Sequence, residues 1–304
     1  MSLKTSLKEG KFVITMEILP PMGVDTTFYL KSIYEYKNYV DAINATDNQL
    51  ATVRLSSLAT SWLILNGGSE PIMQITARDR NRLALQSDFL AAYTLGIRNI
   101  LCLYGDPPKV GSQPAAKPVY DLTPVEIIKL LKKLESGYTL ADEPLNGKPS
   151  YFVGCAANPC TDNVESECSR LVTKLEAGAE FIQTQSVYDI SRLERFLELY
   201  KAHKIASNRY LLIGIMPLRS LKFANYIKKI PGIYLPDELI TRMKNAQNDA
   251  AEGLKITIEL VDQILEFKSV NGFHFMPIKS EHLIPEIIKG SQLQSRRVRT
   301  LGNS

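Results

Sequence analysis

Eight short runs of apolar and β-branched residues recur along the chain: FVITMEI at 12–18, YVDAINA at 39–45, EPIMQIT at 70–76, RNILCLY at 98–104, SYFVGCA at 150–156, EFIQTQ at 180–185, YLLIGIM at 210–216 and NGFHFM at 271–276. Most lack strict alternation of apolar and polar positions, the pattern of strands covered on both faces. Longer segments with apolar residues at helical spacing separate them. Ile127, Ile128, Leu131 and Leu134 make one stripe, and Leu254, Ile258, Val261 and Leu265 another. Helix starts are marked as well. Thr123-Pro124-Val125-Glu126 reads as a capping box with proline at the first helical position, and Ser191-Arg192-Leu193-Glu194 as a second cap. Gly96 and Gly178 stand at helix ends just ahead of a strand, where a left-handed dihedral suits glycine.

Eight strand–helix pairs in 304 residues predict an α/β fold, a (β/α)8 TIM barrel formed by a single domain over residues 1–290, with 291–304 expected as a flexible tail. A doubly wound sheet is the alternative. Against it, no G-x-G-x-x-G follows the first strand, Gly67-Gly68 follows a helix-like stretch instead, and no P-loop occurs. The stretches 107–118 and 136–149 read as long loops within the barrel.

Composition adds exclusions. A hydrophobic content of 45%, a charged content of 22% and a net charge of +4 describe a soluble globular protein. Lysine and arginine are scattered among acids and leave no footprint for nucleic acid. No run approaches the ~20 apolar residues that cross a bilayer, and the start has no apolar core of a signal peptide. A cytoplasmic protein is the expectation. The four cysteines, Cys102, Cys155, Cys160 and Cys168, match no standard metal spacing and read as reduced thiols, so no metal is expected.

In a barrel the carboxyl ends of the strands and the loops after them surround the site. Glu17 falls there, after an apolar run and before Pro20-Pro21, which stiffen the exit. A carboxyl group against apolar surface has its charged form disfavoured and can serve as an acid near neutrality; a solvated rim glutamate is the plainer alternative. The other strand ends are also polar: Asn44-Ala45-Thr46-Asp47-Asn48, Gln74-Ile75-Thr76 with Arg78 and Arg80 beyond, Tyr104-Gly105-Asp106-Pro107-Pro108, Cys155-Ala156-Ala157-Asn158, and Gln183-Thr184-Gln185. Singly, each could be a turn former or a cap. Together they suit the rim of a pocket for a large polar heterocycle.

The segments MEILPP, ITARDRN, LYGDPP, VGCAANP, KLEAGAEFIQTQ, LLIGIMPLRS and NGFHF, in this order between Phe12 and about Pro277, resemble the methylenetetrahydrofolate reductase family in its compact prokaryotic form. The resemblance implies a (β/α)8 barrel with non-covalent FAD that reduces 5,10-methylenetetrahydrofolate to 5-methyltetrahydrofolate by ping-pong hydride transfer. By that likeness Glu17 is the general acid, Asp106 lies between flavin and folate, and Gln185 hydrogen-bonds the pterin. Thr46, Gln74, Tyr104, Gly105 and the Ala156–Ala157–Asn158 segment match flavin-contacting positions. Glu167 and Lys174 match residues that contact the adenosine and phosphate part. Arg78 and Arg80 are further anion-binding candidates, with outer salt bridges as their alternative.

The chain also departs from familiar bacterial members, which often have His at the position of Gln74, Arg at Tyr104 and Tyr at Asn158. Leu221 stands where some members pack an aromatic on the bound nicotinamide or folate. NADH, NADPH and a partner electron carrier therefore all stay open as donor. The ITARDRN and YGDPP forms look more like reductases of acetogens, some of which work with partner proteins, and the family suggests a homo-oligomer. Two other readings stay open: a flavin oxidoreductase acting on another methylene-pterin or in the oxidative direction, and a non-catalytic barrel subunit of a reductase complex. The joint presence of Glu17, Asp106 and Gln185 argues against the second.

Overall fold

The computed structural model describes residues 1–203 and 208–296. Eight strands follow one another round a closed barrel in chain order. They are β1 (Val13–Ile18), β2 (Ala42–Ala45), β3 (Pro71–Thr76), β4 (Asn99–Leu103), β5 (Phe152–Ala157), β6 (Phe181–Ser186), β7 (Tyr210–Ile215) and β8 (Gly272–Phe275). Helix α1 (Leu3–Lys8) precedes the first strand. Helices α2 (Thr27–Tyr36), α3 (Ser57–Asn66), α4 (Arg82–Thr94), α5 (Pro124–Glu135), α6 (Val164–Glu176) and α7 (Ile190–Lys201) each link successive strands. Between β7 and β8 come three, α8 (Leu221–Ile227), α9 (Asp237–Asn245) and α10 (Asp249–Leu265), and α11 (Leu283–Gly290) follows β8. All eight expected strands are present, so the (β/α)8 barrel is the fold.

The strands are buried along almost their whole length, as continuous rather than alternating apolar runs require. The second strand is shorter than its sequence suggested. Residues 37–41 complete the turn after α2, with the Tyr39 amide donating to the Tyr36 carbonyl, so the strand begins only at Ala42. The capping box of α5 forms as read: the Glu126 amide donates to Thr123 Oγ1 and the Glu126 carboxylate accepts from the Thr123 amide. The cap of α7 differs. Asp189, not Ser191, receives the Arg192 amide at 3.0 Å, and the helix starts at Ile190, earlier than a Ser191 cap implies. Aspartate is as good a cap as serine, and placing it there buries Leu193, Phe196, Leu197 and Tyr200 on one face.

The chain divides into two compact units. One holds residues up to Glu17, Ala157–Leu171 and those from Ile182 onward. Within it β8 pairs in parallel with β7 and β1, Ile213, Phe273 and Ile14 lying in register. An apolar cluster of Tyr188, Met216, Leu218, Phe223, Ile227 and Met243 fills the space under α8, α9 and α10, and Arg242 clasps Glu252 and Glu259 to tie α9 to α10. The described part of the expected tail packs here too: Leu293 is fully buried, and the Gln292 amide donates to Asp262. Its remainder, 297–304, lies outside the described residues.

The other unit holds Ile18–Ala156 and Val172–Phe181. Here β2, β3, β4 and β5 pair in parallel. Cys102 and Cys155 stand in register on neighbouring strands, both buried. Burial pushes the Cys102 thiol well above its ordinary range, with Cys155 adding to the effect, which makes it a packing residue and a poor nucleophile. No group of His, Cys, Asp and Glu suited to a metal ion occurs among the described residues, and none of the described helices is long and apolar enough to cross a membrane.

Candidate active site

In the first unit the site begins at the end of β1. Strand register sets Thr15 beside His274, and two residues on Glu17 faces the same side of β1. The Glu17 carboxyl is buried and its Oε1 lies 3.6 Å from His274 Nε2. On the other side of that ring, Nδ1 is 3.0 Å from Thr15 Oγ1. Gln183 of β6 donates from its amide nitrogen to the same hydroxyl at 2.9 Å. All three partners are buried. The expected acid thus sits on a polar chain inside the barrel, not in a purely apolar cleft.

Gln185 lies one residue before the end of β6. Its Oε1 accepts from the Ser186 amide at 2.9 Å, which leaves the amide nitrogen as the group on offer to a ligand. The backbone is held close here: Thr184 Oγ1 accepts from the Gly214 amide at 2.8 Å and donates to the Gln185 carbonyl. A Cβ at Gly214 would stand 2.2 Å from the Thr184 carbonyl oxygen, so only glycine permits this approach. Leu221 opens α8 with its amide donating to Asp249 at 2.6 Å, and its side chain packs on the apolar cluster.

After β5, Asn158 is engaged on every side. Its amide donates to Glu167 Oε1 at 2.9 Å, its Nδ2 to the Gly232 carbonyl at 2.7 Å, and its Oδ1 accepts from Cys160. Glu167 is buried and its second oxygen receives Arg170 at 2.6 Å. These contacts fasten α6 to the strand end.

In the second unit, Thr46 follows β2 and is fully buried, and its Oγ1 has no hydrogen-bond partner among the described residues. An unpaired buried hydroxyl costs about 1–3 kcal/mol, so a ligand group that met it would recover that energy. Next to it Asp47 is buried and saturated: its Oδ2 accepts from the Thr76 amide, the Thr76 hydroxyl and Arg80, and its Oδ1 again from Arg80. Arg80 also reaches Asp88 at 2.8 Å. Burial works against the Arg80 charge, but Asp47 and Asp88 outweigh it and raise its hold on the proton.

Arg78, likewise buried, grips both oxygens of Asp79 at 2.7 Å and donates to the backbone carbonyls of Asp106 and Asn48. Both arginines are thus occupied by carboxylates. Arg54, which the sequence did not single out, is not. It donates to the Pro20 carbonyl at 3.1 Å, its Nε is buried without a partner, and no carboxylate pairs with it among the described residues. Burial alone pulls its guanidinium below the ordinary range.

At the end of β4, Gly105 has φ of +89°, and a Cβ there would lie 3.0 Å from Thr76 Cβ and Arg78 Cβ. The glycine brings the backbone against β3 and leaves Asp106 exposed. Tyr104 is also exposed and stacks on Tyr120, ring centroids 4.5 Å apart and 13° from parallel. The Tyr120 hydroxyl donates to the Gly105 carbonyl. Gln74 is buried on β3, and Lys174 donates to the Ala156 carbonyl at 2.7 Å.

Sequence reasoning missed His274 and the role of Thr15. The available signal was a lone histidine inside the apolar run NGFHFM, on the strand that closes the barrel beside β1. It also weighed Arg78 and Arg80 without pairing them: Asp79 is the residue next to Arg78 and Asp88 lies eight on from Arg80, and only Asp47 is brought in by strand order.

A closed barrel of eight parallel strands with carboxyl, amide and guanidinium groups near its strand ends defines a (β/α)8 scaffold. The profile of the methylenetetrahydrofolate reductase family matches residues 2–292. The chain belongs to that family. It is 26% identical over 243 residues to methylenetetrahydrofolate reductase 2 of Schizosaccharomyces pombe, covering 74% of this chain and 36% of that protein. It is 24% identical over 221 residues to 5,10-methylenetetrahydrofolate reductase of Pectobacterium carotovorum, covering 71% and 67%. The chain thus spans about a third of the length of the fission-yeast relative. Among solved structures, an uncharacterized protein from Clostridium thermocellum that binds two copies of 5-methyl-5,6,7,8-tetrahydrofolic acid superposes with a TM-score of 0.67 at 15% identity, over 94% of this chain and 98% of that one. That likeness is one of fold.

Proposed function

We propose that this chain is a cytoplasmic, FAD-dependent reductase that converts 5,10-methylenetetrahydrofolate to 5-methyltetrahydrofolate in a ping-pong cycle. The observation that carries the reading is the buried Glu17 carboxyl, held beside His274 at the end of β1 in a barrel of this family. The folate bound by the Clostridium thermocellum protein supports a tetrahydrofolate-type substrate here.

The residues fit a flavin. Thr46 offers a buried hydroxyl with no partner of its own, and Gly105 allows backbone to approach where any side chain would clash. Thr46, Gln74, Gly105 and the Ala156–Ala157 backbone would hold the ring system, and the exposed Tyr104 face offers a flat surface to an aromatic portion. Since Asp79, Asp47 and Asp88 neutralise Arg78 and Arg80, Arg54 is the cation we assign to the diphosphate. Glu167 and Lys174 would then act mainly as braces of the β5 end. Bound flavin supplies hydride exchange with the donor and with the folate.

The protein's own groups do the rest. Glu17 gives a proton to the folate nitrogen N10 as the five-membered ring opens, which leaves an electrophilic carbon on N5. The Gln185 amide nitrogen donates to the pterin edge. The Asp106 carboxylate orients the pterin and favours the cationic form. Steady-state rates with 5,10-methylenetetrahydrofolate, FAD and NADH or NADPH test the reading. Product 5-methyltetrahydrofolate with parallel double-reciprocal lines supports it. Flavin-containing protein that turns over no folate with either nicotinamide or a reduced viologen dye overturns it.

A further inference from the structure

Glu17 can act as an acid only if its proton goes to the substrate and not to the histidine beside it. The arrangement around His274 addresses that competition. Thr15 Oγ1 accepts a hydrogen bond from Gln183 Nε2 at 2.9 Å. Its single proton then has two acceptors within reach, the Phe273 carbonyl at 3.4 Å and His274 Nδ1 at 3.0 Å. The shorter contact wins, because hydrogen-bond energy falls with distance and 3.4 Å lies beyond the ordinary O–H···O range. A ring whose Nδ1 accepts must carry its proton on Nε2 if it is neutral. That nitrogen is the one 3.6 Å from Glu17 Oε1. All of these groups are buried, away from bulk solvent.

From this we infer that Thr15, oriented by Gln183, locks His274 in its neutral Nε2–H tautomer, and that His274 is thereby a positioning residue that points a donor at Glu17 and cannot take its proton. With Nδ1 occupied and Nε2 already protonated, the ring has no lone pair to offer the carboxyl. The Nε2–H faces Glu17 across 3.6 Å, longer than a hydrogen bond, and the proton of the acid is left for the folate. The opposite tautomer would present a bare Nε2 to Glu17 and draw its proton into a histidine–carboxylate pair, leaving the acid spent before substrate arrives. The inference rests on the role proposed above for Glu17; the tautomer itself does not.

Two measurements separate the parts. The chain has three histidines, so two-bond 15N–1H correlation spectra of imidazole-labelled protein resolve His274 after assignment with His274→Asn. At neutral pH the wild type shows the Nε2–H pattern; an Nδ1–H or imidazolium pattern in the wild type overturns the inference. Thr15→Val, which removes the hydroxyl at nearly constant volume, shifts His274 out of that pattern, and Thr15→Ser restores it. In the anaerobic reaction of bound FAD with 5-methyltetrahydrofolate, Thr15→Val slows flavin bleaching by about tenfold, the order expected when a reacting group loses an orienting partner. Reduction by dithionite and FAD affinity stay at wild-type values. Thr15→Val with both tautomer and bleaching unchanged refutes the inference. Should Thr15→Val not fold, Gln183→Leu reads the same two quantities from the other end of the chain. Wild-type flavin that never bleaches with the folate defeats the proposed activity instead, while the spectra still decide the tautomer.

Discussion

At the scale of single residues, polar groups in this molecule divide into those already satisfied by the protein and those that are not. Thr46 belongs to the second group. Thr46→Val removes an unpaired buried hydroxyl, so the flavin-free protein should melt at the same temperature or higher. Its FAD affinity should drop about fivefold, the value of one lost hydrogen bond of about 1 kcal/mol. Thermal melts with and without FAD check both signs together. The arginines divide the same way. Arg80→Ala strands the Asp47 carboxylate, 1% exposed, without its counter-charge, and breaking such a pair costs about 3 kcal/mol or more. Arg54→Ala strands no carboxylate; it should leave the melting temperature of flavin-free protein nearly unchanged and weaken FAD binding. Equal effects of the two substitutions on both readouts would contradict the assignment of Arg54 to the diphosphate.

At the scale of elements, local signals determine where helices begin and tertiary partners determine what their ends hold. Thr123→Ala removes both halves of the α5 capping box and should destabilise the protein by about 1 kcal/mol in urea unfolding, without changing the slope. The start of α4 has a local cap, Asn81, whose Oδ1 accepts from the Leu83 and Ala84 amides, and a more distant partner besides. Asp121 receives the Arg82 amide and its guanidinium, and these hydrogen bonds hold the Asp121 carboxyl down to about 2. A depressed carboxyl stabilises the fold above its ordinary value of 3.8 and loses that contribution as pH falls through about 2. Amide exchange at Arg82 should therefore stay slow in mild acid in the wild type and be fast at every pH in Asp121→Asn.

These same elements show how far the chain could be read from its sequence. Short runs rich in apolar and β-branched residues marked all eight strands, most without strict alternation, because a strand covered on both faces has no polar side. The α5 cap was legible because its two halves are three residues apart. The α7 cap was not, since Asp189 and Ser191 are both competent and only the burial of Leu193 and Phe196 chooses between them. At the site, residues next to a strand end, such as Glu17, Asp106 and Gln185, could be named from position and family likeness. The bonds of His274 to Thr15 and of Arg80 to Asp47 join residues far apart in sequence, and strand order alone brings them together.

At the scale of the whole molecule, eight parallel strands close one barrel, and Glu17 lies near the end of the first of them. The central claim is that Glu17 supplies the proton in a hydride exchange between FAD and a folate. The most direct measurement mixes FAD-loaded protein with 5-methyltetrahydrofolate in the absence of oxygen and follows the visible flavin absorbance. Microscopic reversibility makes this the reverse of the reductive step, so it needs no electron donor to be known. The account predicts that the wild-type band bleaches, and that Glu17→Gln keeps its FAD but bleaches at least about 100-fold more slowly. Bleaching by Glu17→Gln at the wild-type rate, or an intact band in the wild type at saturating folate, would contradict it.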